Sequence, residues 1–289
     1  MSMDPIKVED LPQLDGGRMV LAFTGWMDGG DVSTGTVEWL IEQTDAEPFA
    51  EIDPEGFYIF NFPGSMEVSA LFRPHVQIEE GLVQTYEPPE NLFYRAPGQD
   101  LVLFLGKEPH LNWRAFRDAI FGMAQEMGVR EVYFVGSVAG MVPHSREPRL
   151  RGAVGEARLK PQLEKAGVPF TDYEGPSSFS AYLLSEAPQH QVDMVNFVVE
   201  IPAYIQGRNP KGIEIVVRKL AALMAFDVDV ESLREVSDQW EKRIDEAVNK
   251  RKDLAEHIHK LEEDYDHEVF DTQMGDLKDW LERQGIQVD

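Results

Sequence analysis

The chain has 289 residues, of which 52 are acidic and 27 are basic, so its formal net charge is −25. Charge of this sign repels phosphate backbones and anionic lipid, which argues against nucleic acid or a membrane surface as a partner. There is no cysteine, which excludes disulfides, thiolate metal sites and a cysteine nucleophile. No targeting pattern opens the chain and no apolar run is long enough to cross a bilayer, so we expect a soluble cytoplasmic protein.

Short apolar runs alternate with amphipathic stretches over the first 226 residues. The runs predict strands at residues 19–23, 57–62, 101–105, 131–135 and 192–201. The amphipathic stretches predict helices at 31–43, 113–127, 179–185 and 211–226. Residues 74–97 look extended and predict an antiparallel hairpin. Buried strands between amphipathic helices are typical of a three-layer α/β fold with a mostly parallel central sheet.

The last 63 residues differ in character, with 20 acidic and 9 basic side chains. Apolar residues recur there in alternating steps of four and three, with the charged Arg251 in the same register: Trp240, Ile244, Ala247, Leu254, Ile258, Leu261 and Tyr265. This pattern predicts a helix of about eight turns with a narrow apolar seam. A second helix is predicted over 274–284, with Leu277, Trp280 and Leu281 facing inward. We therefore divide the chain into an α/β core, 1–226, and an acidic helical C-terminal extension, 227–289.

Glycines close three of the predicted strands, and polar loops follow them. In a parallel sheet these loops share the carboxyl edge, where clefts form. The candidate pocket at this edge comprises Gly25, Trp26, Asp28, Gly29, Asp31, Gly106, Glu108, His144 and Arg146. The glycine-rich turn could aim backbone N–H groups at an anion, or it could serve only an abrupt turn, with Asp31 capping the next helix. His144 could act as a general base and Arg146 could hold a carboxylate or phosphate, or both could be tied to neighbouring groups.

Other chemistry finds little support in the sequence. The turn at 25–31 lacks the lysine of a phosphate-binding loop and the spacing of a dinucleotide fingerprint. Val138 occupies the position that a serine nucleophile would need in 136–140. His259, Glu263 and His267 share one helical face, but this arrangement is more typical of a solvated surface than of a metal site. We therefore predict no cofactor and no metal.

Seven segments of the chain form a recognisable set: FTGWMDGGD at 23–31, GKEP at 106–109, WRAF at 113–116, GSV at 136–138, PHSR at 143–146, YEGPS at 173–177 and KLEEDYD at 260–266. By their order and spacing, they together resemble the proteasome assembly chaperone 2 family, in particular its bacterial branch. The likeness covers most of residues 15–285. It implies a fold similar to purine nucleoside phosphorylases and a homo-oligomer, with a trimer as the candidate. It also implies that eukaryotic and archaeal relatives are chaperones of 20S proteasome α-subunits, whereas bacterial members have no assigned activity.

Two departures from the family pattern concern function. Archaeal chaperones of this type often end in a hydrophobic–tyrosine–any-residue tail that docks on the proteasome, and this chain ends Gln287-Val288-Asp289. Many bacterial relatives carry Pro-His-Tyr after the last strand, and this chain has Pro202-Ala203-Tyr204. If that histidine is catalytic in the relatives, this chain has lost the activity, because Ala203 takes its place.

Two functions therefore stand. The first is a non-catalytic, chaperone-like assembly protein that contacts itself and possible partners such as a proteasome subunit. The alternative is a hydrolase or transferase that acts on a nucleoside-like or carboxylate substrate in the candidate pocket.

Overall fold

The computed structural model describes residues 6–226 and 228–283. The strands are β1 Ile6–Val8, β2 Gly17–Thr24, β3 Glu47–Ile52, β4 His75–Glu79, β5 Leu82–Glu87, β6 Leu92–Arg95, β7 Leu101–Lys107, β8 Val129–Gly140, β9 Leu150–Val154 and β10 Asp193–Pro202. The helices are α1 Val32–Thr44, α2 Met66–Ala70, α3 Trp113–Met127, α4 Lys160–Lys165, α5 Phe179–Glu186, α6 Pro210–Met224, α7 Val230–Val248 and α8 Lys252–Arg283. None of these helices is long and apolar enough to cross a membrane.

Eight strands form one sheet in the order β1-β3-β6-β7-β2-β8-β10-β9. The four central strands, β7, β2, β8 and β10, are parallel, and antiparallel pairings extend the sheet on both sides. Their long apolar runs are buried on both faces, as parallel strands between helices require. The predicted α/β class and the parallel centre of the sheet are therefore confirmed.

Helices cover both faces of this sheet and give three layers. On one face α3 and α5 bury a largely aromatic cluster in which Phe23 contacts Phe104, Phe116 and Phe179, with ring centroids 5.5 to 6.2 Å apart. On the other face α1 and α6 pack on β2, β8 and β10 through aliphatic side chains such as Val37 and Val216. Successive residues of β2 alternate between the two clusters, because side chains of a strand point to opposite faces in turn.

The predicted strand at 57–62 is wrong. Phe57 and Tyr58 are buried, but Phe57 ends a turn and Tyr58 follows in an irregular segment, and the ring centroid of Phe57 lies 4.9 Å from that of Phe116. The strand in this part of the chain is β3, whose acidic residues and proline concealed it. The predicted hairpin at 74–97 is also divided: β4 and β5 form a separate two-stranded ribbon, whereas β6 joins the main sheet.

The C-terminal extension differs from the prediction in two ways. The long helix with a continuous seam is broken at residues 249–251, where the seam position carries the charged Arg251. Beyond the break, α8 is continuous to Arg283, so residues 274–283 do not form a separate helix. Gln284 and the side chains of Leu277, Trp280 and Leu281 lie outside what the structure describes.

Candidate functional site

The carboxyl ends of β7, β2, β8 and β10 lie side by side, so the loops that follow them share one edge of the sheet. These loops hold eight of the nine residues of the candidate pocket, and the ninth, Gly106, is the penultimate residue of β7. The central strands do not all end at the same level, because β8 extends to Gly140 and pairs there with Pro202. The loop that carries His144 and Arg146 therefore starts farther out than the turn after β2.

The turn after β2 is held by its own polar groups. Gly25 has φ of +141° and Gly30 of +61°, values that suit glycine, while Asp31 is also left-handed at +50°. Asp28 accepts hydrogen bonds from Thr34 N at 3.1 Å and from the Thr34 hydroxyl at 2.9 Å. Asp31 makes no side-chain cap, so the interpretation of Asp31 as the cap is wrong and Asp28 satisfies the first turn of α1.

Burial has a measurable consequence at Asp28. It raises the pKa of the Asp28 carboxyl to about 6, against the opposing effect of the hydrogen bonds from Thr34. The turn is also fixed to β8, because Ser137 N donates to Met27 O at 2.7 Å and the Ser137 hydroxyl donates to Gly29 O at 2.6 Å. The Met27 and Gly29 carbonyls and the Asp28 carboxylate are thus bonded within the protein, whereas Asp31 is exposed and Trp26 is 57% exposed.

Glu108 links two loops at the edge of the sheet. Its carboxylate accepts from Trp26 N at 3.1 Å through Oε2 and from Phe179 N at 2.9 Å through Oε1. The two bonds join the turn after β2 to the start of α5. Two residues before Glu108, Gly106 occupies a position at which a Cβ would lie 2.7 Å from the ring of Phe104.

Beside Gly106, a second network engages two side chains that the sequence did not single out. The Tyr58 hydroxyl lies 2.6 Å from Asn91 Oδ1 and 2.7 Å from Lys107 O. Burial raises the pKa of Tyr58. No motif marks Asn91 or Tyr58, because the pairing of β6 with β7 places Asn91 beside Lys107 and Tyr58 reaches both from the segment that follows β3.

His144 is almost fully buried between two partners. Its Nδ1 lies 2.8 Å from the Tyr204 hydroxyl, and its Nε2 lies 3.0 Å from Asp245 Oδ1 on α7. The backbone N–H of His144 also donates to the Tyr204 hydroxyl at 2.8 Å, and Lys211 Nζ donates to His144 O at 2.8 Å. Burial raises the pKa of the Tyr204 phenol to about 12.

Arg146 lies on the same loop and is also paired. It forms two hydrogen bonds of 2.8 Å to Asp266 on α8, and Asp266 raises the pKa of the guanidinium further. Ser145 donates to Glu262 of the same helix. The helical extension therefore covers this loop, and the space left beside His144 and Arg146 is only about 10 Å³.

The structure thus divides the nine candidates into two groups. Gly25, Trp26, Asp28, Gly29, Asp31, Gly106 and Glu108 surround the turn after β2, whereas His144 and Arg146 lie under α7 and α8. Asp28, Glu108, His144 and Arg146 are all engaged by internal hydrogen bonds. Within the described part of the chain, no group of three or more His, Asp or Glu side chains could hold a metal ion, and His259 instead lies 3.5 Å from Glu263.

These observations define the class of the protein. It is a three-layer α/β protein in which polar side chains at the carboxyl edge of the sheet form hydrogen bonds within the protein. The family model described as the PAC2 family matches residues 22–248, and the chain belongs to this family. The match ends at the last residue of α7, so α8 lies beyond it.

Solved structures of similar proteins extend this result. A PAC2 family protein from Streptomyces avermitilis is 28% identical, with 83% of this chain and 98% of that chain covered and a TM-score of 0.70. A proteasome-assembly chaperone homologue from Mycobacterium tuberculosis is also 28% identical, with 83% and 99% covered and a TM-score of 0.71. Another M. tuberculosis protein, of unknown function, shares the fold at 22% identity, with 95% and 92% covered and a TM-score of 0.80. Among curated proteins, no sequence matches the chain significantly.

Proposed function

We propose that this chain is a non-catalytic, chaperone-like assembly protein of the cytoplasm, active as a homo-oligomer with a trimer as the first candidate, and that a proteasome subunit is its partner. Membership of the PAC2 family supports the proposal, as does the similarity to a proteasome-assembly chaperone homologue. The internal engagement of Asp28, Glu108, His144 and Arg146 also supports it, because these groups serve the fold.

One surface carries the proposal. Residues 60–87 leave the sheet as an excursion that we call the apolar arm, and it comprises α2 and the β4–β5 ribbon. Its exposed apolar side chains are Phe60, Phe62, Met66, Val68, Leu71, Val76, Ile78, Leu82, Val83 and Tyr86. Concentrated exposure of this kind on a folded protein is typical of an interaction surface.

The register of the ribbon places apolar residues on one face. Val76 lies opposite Tyr86, and beyond a register shift after Gln77, Ile78 lies opposite Val83, so these four side chains share a face, whereas Leu82 lies opposite Glu79 on the other face. Gln77 and Thr85 lie opposite each other on the other face. Every residue of both strands is exposed, and a two-stranded ribbon is at best marginally stable alone in water. We therefore propose that the apolar face of the ribbon packs against a second copy of the chain.

Sedimentation equilibrium tests the self-association. We expect the wild type to sediment at a multiple of its 32.8 kDa chain mass, three times for a trimer. The double variant Ile78→Asp with Val83→Asp should be monomeric, because burying two carboxylates in an apolar interface is unfavourable. The matched control, Gln77→Asp with Thr85→Asp, adds the same charge on the other face and should keep the wild-type mass. A monomeric wild type at micromolar concentration would contradict the proposal.

The partner requires a separate experiment. Purified 20S α-subunits from the same organism are mixed with the chain and analysed by size-exclusion chromatography. We expect a complex, and we expect faster assembly of the α-ring when the chain is present. Absence of a complex, with the oligomer intact, would remove the proteasome as partner while leaving the self-association standing.

A further inference from the structure

A cleft of about 380 Å³ lies between α1, α6 and α7, and none of the nine candidate pocket residues lines it. Its volume is within the range of small-molecule sites in proteins. The apolar side chains that line it include Trp39 of α1, Ile213 of α6, and Leu233 and Trp240 of α7. Both indoles are at least nine-tenths buried, so they form fixed walls rather than mobile surface groups.

Two arginines also line this cleft. Arg208 donates to Glu38 Oε2 at 2.9 Å, so its charge is already shared with a carboxylate. Arg243 differs, because its Nε donates only to the Gln239 carbonyl at 3.3 Å. Of the carboxylates that the structure describes, none lies within 4.0 Å of Arg243, although the chain has 52 acidic residues.

The position of Arg243 in the cleft makes its charged side chain a candidate anion-binding group. Arg243 is exposed and lines the cleft, so its guanidinium can pair with a carboxylate through two parallel hydrogen bonds. In so acidic a chain, a positively charged group that has no partner among the described carboxylates and lies beside two indoles is complementary to an external anion. A polar but uncharged ligand would not use this charge, and a cation would be repelled by it.

We propose that the cleft binds a small molecule with an apolar body and a single carboxylate head. Arg243 pairs with the carboxylate, and the body packs on Trp39, Leu233 and Trp240. The site is independent of the proposed assembly function and of the apolar arm.

Calorimetric titration with decanoate and with indole-3-acetate tests the proposal, and decanol and decyltrimethylammonium serve as head-group controls. We expect saturable binding of at least one carboxylate, about tenfold weaker binding of decanol than of decanoate, and no binding of the cation. Arg243→Gln should weaken carboxylate binding about tenfold. Arg234→Gln removes the same charge from the same helix at a position outside the cleft and should leave the affinity unchanged.

A second variant tests the apolar part of the site. Val236 is half-exposed on the rim, so Val236→Trp should fill the cleft and abolish binding of both carboxylates while the circular dichroism spectrum is retained. Ser232→Trp, also on the exposed rim, serves if the first variant does not fold. The proposal is overturned if neither carboxylate binds below about 1 mM, or if Arg243→Gln and Arg234→Gln bind with equal affinity.

Discussion

Arg146 and Asp266 are 120 residues apart in sequence and form a bidentate ion pair, in which Nε and Nη2 each lie 2.8 Å from a carboxylate oxygen. The pair joins the loop after β8 to α8. Two neighbouring contacts have the same role: Tyr265 donates to Glu147 O at 2.7 Å, and Arg149 donates to Glu268 at 2.6 Å. Polar contacts with this loop therefore hold the middle of α8 in place.

Removing the charge of Asp266 should loosen this attachment. In Asp266→Asn we expect amide hydrogen exchange along α8 to quicken severalfold, because a neutral amide replaces a carboxylate that Arg146 stabilises. Asp264→Asn is the matched control on the same helix and should exchange like the wild type. In about 1 M salt, which screens exposed charges, the difference should shrink. Equal exchange rates at low salt would show that the ion pair does not hold the helix.

The Tyr204 hydroxyl is expected to contribute to stability through His144. Tyr204→Phe leaves the backbone N–H and Nδ1 of a buried histidine without their partner, which costs about 1–3 kcal/mol. Tyr173→Phe is the control. It removes a hydroxyl that donates to Pro176 O from a side chain that is 69% exposed, so it should change the free energy of unfolding little. Urea denaturation of both variants measures the difference. Equal losses would contradict a role for the Tyr204–His144 bond.

Asp28 should make stability depend on pH in an unusual direction. Its pKa rises from 3.8 to about 6 in the folded protein, so the folded state holds the proton more tightly than the unfolded state does. The stabilisation from the protonated form is complete below about pH 4 and is lost as pH rises to about 6. At 1.36 kcal/mol per pKa unit, the loss is up to about 3 kcal/mol.

The comparison with Asp28→Asn isolates this effect. Asparagine can retain both contacts with Thr34 but does not titrate. Between pH 4 and pH 7, the wild type should therefore lose stability relative to the variant and then stay level. A difference in unfolding free energy that does not change over this interval would contradict the burial of a titrating carboxyl.

Gly30 should tolerate no side chain. Its φ is +61°, and a Cβ would lie 2.9 Å from Ile201 Cδ1 and 3.0 Å from Asn209 Cβ. Gly30→Ala should thus cost about 2–4 kcal/mol, the sum of backbone strain and overpacking. Gly98 has a similar φ of +71° with open space around it, so Gly98→Ala should cost only about 1 kcal/mol, from the backbone alone. Thermal or urea unfolding that finds equal costs would show that the turn can move.

The sequence predicted the position of the candidate pocket but not the contacts within it. Polar residues after apolar runs correctly placed three loops at one edge of the sheet, because parallel strands point the same way, but Gly106 and Gly136 lie within β7 and β8 and do not end these strands as predicted. The partners of Glu108 and His144 could not be predicted, since Phe179 N and Asp245 belong to elements 71 and 101 residues away. Local sequence patterns do not indicate which residues so far apart in the chain come into contact.

The sequence by itself determined the alternation of buried strands and amphipathic helices, because periodicity and burial are local properties. It determined α3 to the residue, as 113–127, since its apolar face and terminal Gly128 mark both ends. Only the tertiary structure decided that β6 joins the main sheet, that Phe57 and Tyr58 are buried without being a strand, and that α7 and α8 close over His144 and Arg146. These outcomes depend on which distant surfaces meet, and hydrophobic patterning specifies that a face is buried without specifying what buries it.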